Sequence, residues 1–237
     1  MPAAQHQLGR LAGGGAVSSD ADIRVAVLCD PAGTARGVGP DAVEALLTTW
    51  LKTPIALGHR EDGSPYPIGI EGKHLSLGHA AGMTALAIAD RPVGIDISRV
   101  TTDAADRKVA ARLFTPAERG WLACQPSDEQ PAAFATLWTV KEALLKRERQ
   151  GLDMHDLPDL GVLASSLSVA LAEQPLDWRP WIALAASPRV RGGLVLGSPL
   201  ALLRPVATGH VRCAILGTPA GPHALALAWT PPNTNLQ

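Results

Sequence analysis

Trp138-Thr139-Val140-Lys141-Glu142-Ala143-Leu144-Leu145-Lys146 is the stretch around which the chain is organised. No Gly or Pro occurs from Ala132 to Gln150, and Gly151 follows as a C′ stop, so the pattern predicts a helix here. Phe134, Leu137, Trp138, Lys141 and Leu145 recur at helical spacing on one stripe. Lys141 therefore interrupts an apolar face, where an ammonium is costly unless it meets an anion. A Glu-to-Lys pair on a solvated face explains Glu142 and Lys146, but not a lysine among core positions. An acid between two lysines at the edge of a core points to a metal and phosphate site.

The wider composition narrows the class. The 237 residues suffice for one large domain or two small ones, and 46% hydrophobic against 18% charged residues describes a globular chain. A net charge of −1 offers no footprint for nucleic acid. Cys29, Cys124 and Cys213 are scattered, with neither a disulfide framework nor a zinc spacing, which fits a reducing cytoplasm. No signal-peptide pattern opens the sequence and no apolar run reaches the length of a membrane span.

Read in order, residues 1–20 form a loose Ala-, Gly- and Ser-rich lead-in, and Ile23 to Cys29 a first strand. Asp41 with Glu44 makes a capping box for a helix through Leu51, ended by Thr53-Pro54. Gly58 to Gly72 is Gly- and Pro-rich loop. Met83 to Ala89 and Val93 to Ile97 read as two apolar strands, most simply a hairpin with His79 and Asp96 near its ends. Asp103 to Leu113 is a helix with Arg107, Lys108 and Arg112 outside, and Thr115-Pro116-Ala117-Glu118 starts the next with a capping box. Beyond Gly151, strands are expected at Leu167–Leu171, Trp181–Ala185, Val211–Leu216 and Ala224–Trp229, then a tail over 231–237. Trp178 and Trp181 read as buried aromatics rather than a docking surface.

Asp96 lies between Ile95 and Ile97, an uncommon place for a carboxylate. It reads either as a cap at a strand end or as a ligand for a hard cation. Mg²⁺ takes one or two protein carboxylates together with phosphates and waters, and Asp96 and Glu142 offer such a pair. His79, after Gly78, reads either as an ordinary surface or core histidine or as a donor to a phosphate oxygen. The order Ser76, His79, Asp96 would suit a serine hydrolase, but no G-x-S-x-G elbow accompanies it; no P-loop or G-x-G-x-x-G is present either.

Gly94-Ile95-Asp96-Ile97-Ser98, followed two helices later by the Trp138–Lys146 stretch, resembles the surfactin-type 4′-phosphopantetheinyl transferases. Leu77-Gly78-His79 resembles that family's loop ending in Ser-His, Gly63-Ser64-Pro65 its Gly-Lys-Pro loop, and Leu113-Phe114-Thr115-Pro116-Ala117-Glu118 its helix start. Similarity runs from about Asp62 to Lys146. The resemblance implies an α+β protein of two similar α/β lobes related by a pseudo-twofold, residues 21–93 and 94–230, with the active site in the cleft between them. The implied reaction transfers the phosphopantetheine arm of coenzyme A to a serine of an apo acyl or peptidyl carrier protein. That is a holo-acyl-carrier-protein synthase activity, Mg²⁺-dependent, expected of a monomeric cytoplasmic enzyme of secondary metabolism. In this reading Asp96, Glu142 and Ser98 hold the metal. His79, Lys141, Lys146 and the Gly63-Ser64-Pro65 loop bind coenzyme A, and Glu142, with Lys141, is catalytic.

Two positions depart from the family pattern. Ser98 stands where Glu or Gln is usual beside the metal, and Ser64 where Lys is usual near the phosphates. The N-terminal region lacks the family's Arg and Lys cluster for the 3′-phosphate, for which Arg60, Lys73 and Arg91 are the available substitutes. These departures support an alternative, a weakened homologue that binds coenzyme A or carrier proteins without turnover.

Overall fold

Alternation along Val93–Arg99 sets the architecture. Val93, Ile95 and Ile97 point to one side of this strand; Gly94, Asp96 and Ser98 point to the other. The first set packs between two sheets, whereas the second faces a helix. The computed structural model describes residues 23–30, 37–148, 182–187, 190–196, 205–206, 209–218 and 221–230. The lead-in over 1–20, the Gly151 stop, the Leu167–Leu171 strand, Trp178, Trp181 and the 231–237 tail lie outside them.

The elements run β1 (Arg24–Cys29), α1 (Pro40–Leu51), β2 (Leu57–His59), β3 (Pro65–Pro67), β4 (His74–Ala80), β5 (Met83–Ala89), β6 (Val93–Arg99), α2 (Ala104–Leu113), α3 (Pro116–Ala123) and α4 (Gln130–Glu148). Then follow β7 (Ile182–Ser187), β8 (Val190–Leu196), β9 (Pro205–Val206), β10 (Gly209–Thr218) and β11 (Gly221–Trp229). One antiparallel sheet has the order β4-β5-β1-β8-β7, a second β6-β11-β10-β9, and β2 pairs with β3 alone. Strands β7 and β8, late in the chain, complete the sheet begun by β1.

Three cores stack these elements. Ala26 and Leu28 of β1 and Leu86 and Ile88 of β5 meet Val43, Leu46 and Leu47 of α1. The opposite faces of β1 and β5 meet Val93, Ile95 and Ile97 of β6 and Leu225 and Trp229 of β11. The far face of the second sheet, with Ala226 and Ala228, packs on Leu113, Phe114, Leu137, Val140 and Leu144. The layers therefore run α1, first sheet, second sheet, then α2 to α4, an α+β arrangement of mixed helix and strand. Burying this much apolar surface, at about 25 cal/mol per Å², supplies the main stabilising term. Among the described residues, no helix is long and apolar enough to cross a membrane.

Several local expectations change. β5 and β6 are not a hairpin: β6 pairs with β11, in register from Val93↔Trp229 to Arg99↔His223. The hairpin is β4–β5, closed by Ala81 (φ 43°) and Gly82 (φ 82°). Two left-handed residues give the primed turn whose twist matches paired strands. The Gly58–Gly72 loop contains the β2–β3 ribbon. α1 starts after Gly39 with no side-chain cap; Glu44, expected in a capping box, accepts from Leu57 N at 2.8 Å instead. The α3 box forms as its sequence predicts, with Thr115 and Glu118 each accepting from the other's backbone N–H.

Candidate functional site

α4 is buried almost all round, including Thr136, Thr139, Lys141 and Glu142. The two threonines are tolerated because their hydroxyls donate to carbonyls one turn back, Thr136 to Ala132 O at 2.7 Å and Thr139 to Ala135 O at 3.0 Å. The helix lies on β6 because position 94 is glycine. A Cβ there would strike the Ala143 carbonyl oxygen and sit 2.5 Å from Arg147 N. With no side chain between them, Glu142 and Lys146 come down beside Asp96.

Lys146 Nζ donates to Asp96 Oδ1 at 2.7 Å, although these residues are 50 positions apart. The Asp96 side chain is 8% exposed and that of Lys146 22%. Burial raises the pKa of Asp96, and the Lys146 ammonium only partly opposes the shift. Glu142 is pushed up to about 7, first by burial and then by the charge on Asp96, with Lys146 again opposing. The two carboxylates thus share one electrostatic site with one cation. Ser98, two residues beyond Asp96 on the same strand face, is half-buried and paired with Ala224.

The first sheet reaches this site through β4. Edge strand β4 abuts edge strand β6, and Ser76 Oγ accepts from Ile95 N at 3.0 Å. Gly78 sits directly over the acid: an added Cβ would lie 2.9 Å from Asp96 Cα and 3.1 Å from Asp96 Oδ1. His79 follows, exposed, with Nδ1 2.9 Å from Thr84 Oγ1. Partial desolvation and then the Lys146 charge lower its pKa, so the ring is held toward its neutral form.

Lys141 goes elsewhere. It is fully buried and its Nζ donates to both carboxylate oxygens of Glu118, at 3.0 and 2.9 Å, while lying 5.6 Å from the centre of the Phe114 ring. The expected contact with phosphate oxygens is therefore replaced by an internal carboxylate, and the buried ammonium finds its anion inside the protein. Glu118 is the residue sequence reasoning missed. Its capping role explained it fully, yet a capping carboxylate keeps a second oxygen, and a lysine on an apolar face was the sign that a buried acid was needed.

Gly63 and Ser64 end the turn of the β2–β3 ribbon, and Pro65 opens β3 opposite His59. Gly63 has φ +79°, and Ser64 N donates to Asp62 Oδ1 at 2.8 Å. Of the substitutes for the missing cations, Arg60 stacks 5.0 Å over Tyr66 and Lys73 pairs with Asp90.

Residues 92–187 match the family model described as 4′-phosphopantetheinyl transferase superfamily. That segment is similar to the superfamily over 96 of the chain's 237 residues. It contains β6 and α4, and with them Asp96, Glu142 and Lys146. A 4′-phosphopantetheinyl transferase of Bacillus subtilis is 31% identical over 100 residues, 42% of this chain and 44% of the relative. The 4′-phosphopantetheinyl transferase Sfp of Bacillus subtilis strain 168 is 30% identical over 103 residues, 44% of this chain and 45% of the relative. The 4′-phosphopantetheinyl transferase psf-1 of Bacillus pumilus is 35% identical over 91 residues, 38% of each chain. The chain thus spans less than half the length of the curated relatives it matches.

Proposed function

We propose that this protein transfers the phosphopantetheine arm of coenzyme A to a serine hydroxyl of an apo acyl or peptidyl carrier protein, with Mg²⁺. The observation that carries the reading is the meeting of Asp96, Glu142 and Lys146 across a Gly94-spaced contact between β6 and α4. With both carboxyl groups ionised, one lysine leaves a net negative charge in a poorly solvated place, and a divalent cation offsets it. The donor set therefore fits Mg²⁺: Asp96 and Glu142 would hold it, with the Ser98 hydroxyl a weaker neighbour than the family's usual carboxylate or amide. When bound, the ion neutralises charge on the pyrophosphate and on its leaving group.

The chain's own residues supply the rest. Partly exposed Lys146 is suited to hold a phosphate oxygen, and His79, on the neighbouring edge strand, to donate to another. Glu142, with a pKa of about 7, is suited to take the proton of the attacking serine, directly or through water. The serine oxygen forms a bond to the phosphorus carrying the pantetheine arm, the pyrophosphate P–O bond breaks, and adenosine 3′,5′-bisphosphate leaves. The Gly63-Ser64-Pro65 segment, on a ribbon beside β4, belongs to the proposed coenzyme A contact. Residues 21–93 and 94–230 are proposed as the two lobes, related by a pseudo-twofold, with β7 and β8 of the second crossing back to complete the sheet of the first and the site at their junction. The free thiols of Cys29, Cys124 and Cys213 support a cytoplasmic setting.

Incubation with coenzyme A, Mg²⁺ and a panel of apo carriers tests the reading: carrier mass should rise by one phosphopantetheine. Ser64 and Ser98 favour a second reading, a homologue that binds without turnover. It predicts coenzyme A or carrier binding by calorimetry with no change in carrier mass.

A further inference from the structure

Among the described residues, Glu118 and Lys141 form a bidentate, fully buried ion pair, with Lys141 next to Glu142 on α4. Both side chains are fully buried, and each carboxylate oxygen accepts from the ammonium. Glu118 Oε2 also accepts from Thr115 N at 2.7 Å, so the same carboxylate closes the first turn of α3. One rigid acid therefore ties the start of α3 to the middle of α4, at the residue next to Glu142. A helix that is buried nearly all round is poorly fixed in rotation by apolar packing alone, because many of its faces would be content against the core. A bidentate tie selects one rotation.

We propose that Glu118 and Lys141 form a positioning device that sets the rotation of α4, and so aims Glu142 and Lys146 at Asp96. Lys141 is then a positioning residue and makes no contact with substrate. A buried ion pair exchanged for neutral groups of similar volume often leaves stability unchanged, so stability and aim separate in a double variant. Glu118→Gln with Lys141→Met keeps the cap, since glutamine serves in a capping box, and removes the tie.

The activity arm rests on the transferase reading. There, the double variant unfolds cooperatively, its kcat falls about 10- to 100-fold, and its KM for coenzyme A changes little. Mn²⁺ affinity, read by electron paramagnetic resonance, falls about 10-fold although no carboxylate of the site has been altered. Wild-type kcat and Mn²⁺ affinity in that variant would overturn the proposal. Should the double variant not fold, Glu118→Asp keeps the charge but shortens the reach, and a wild-type kcat there overturns the proposal equally. A crystal structure of the double variant reads the aim directly. The Lys146–Asp96 contact, 2.7 Å in the native protein, should open beyond hydrogen-bonding range, and its retention would refute the positioning role. If the native protein modifies no carrier, the transferase reading fails while this structural arm still decides the role of the pair.

Discussion

Strands β5 and β6 have the same length and similar burial, but different work. β5 is buried at every position and carries apolar residues except Thr84, with a sheet on one side and α1 beyond the other. β6 offers the same apolar face to the intersheet core, but its second face is Gly94, Asp96 and Ser98 under α4. A strand buried on both faces can carry chemistry only where a residue has been removed to let a neighbour approach. In β6 that residue is a side chain at position 94, and the gap brings α4 close enough for its Glu and Lys to meet the strand's Asp.

The comparison breaks most completely at Gly94. Gly94→Val drives a side chain into the Ala143 carbonyl, which is backbone and cannot yield. A loss of about 3 kcal/mol or more is expected in urea unfolding, against about 1 kcal/mol for Ala87→Gly in β5. A stable Gly94→Val variant with unchanged carrier modification would remove the close approach as the basis of the site.

Glu142→Gln sharpens the difference by moving activity and stability in opposite directions. Transfer should fall at least about 100-fold by carrier mass assay. The folded protein holds Glu142 protonated up to about pH 7, against 4.5 for the ordinary group. Its folded pKa is raised, so the neutral carboxyl costs nothing below pH 4.5. Above that, the unfolded chain ionises first and stability is lost progressively until pH passes about 7. The loss from this group reaches roughly 3 kcal/mol, and buried Asp96 adds to it in the same direction. In chelated buffer, the native protein should therefore be less stable at pH 8 than at pH 5, and Glu142→Gln should flatten that slope. An unchanged slope would show that Glu142 is not held protonated.

Smaller effects belong to the seam between the sheets. Gly78→Ser puts a Cβ against Asp96 and should cost about 2 kcal/mol in thermal unfolding, with weaker Mn²⁺ binding. Ser76→Ala orphans the Ile95 N–H and should cost about 1 kcal/mol. If both were neutral, the seam would contribute nothing to holding Asp96.

Local patterns were readable where they are self-contained. The α3 capping box closes within four residues, and the α4 helix follows from a run without Gly or Pro from Ala132 onward. Partners that depend on folding were not. Glu44 looked like a cap but serves Leu57 thirteen positions on, and β6 finds its partner in β11, more than a hundred residues later. Lys141 shows both sides of this limit. Its place on an apolar face correctly required an anion, but Glu118, 23 positions away, supplies it. Asp96 and Glu142 could be nominated together from the family resemblance, whereas their coupling through Lys146 is visible only once α4 rests on β6.

The abutting rims of β4 and β6 have a consequence for solubility. Each strand has an unpaired flank, the kind of exposed ladder that invites another chain to add on. Here each flank conceals the other, with Ser76 taking the amide that a foreign strand would otherwise recruit. A fragment beginning at Pro92 would uncover that flank, and such a piece is expected to self-associate more strongly than the full chain by sedimentation.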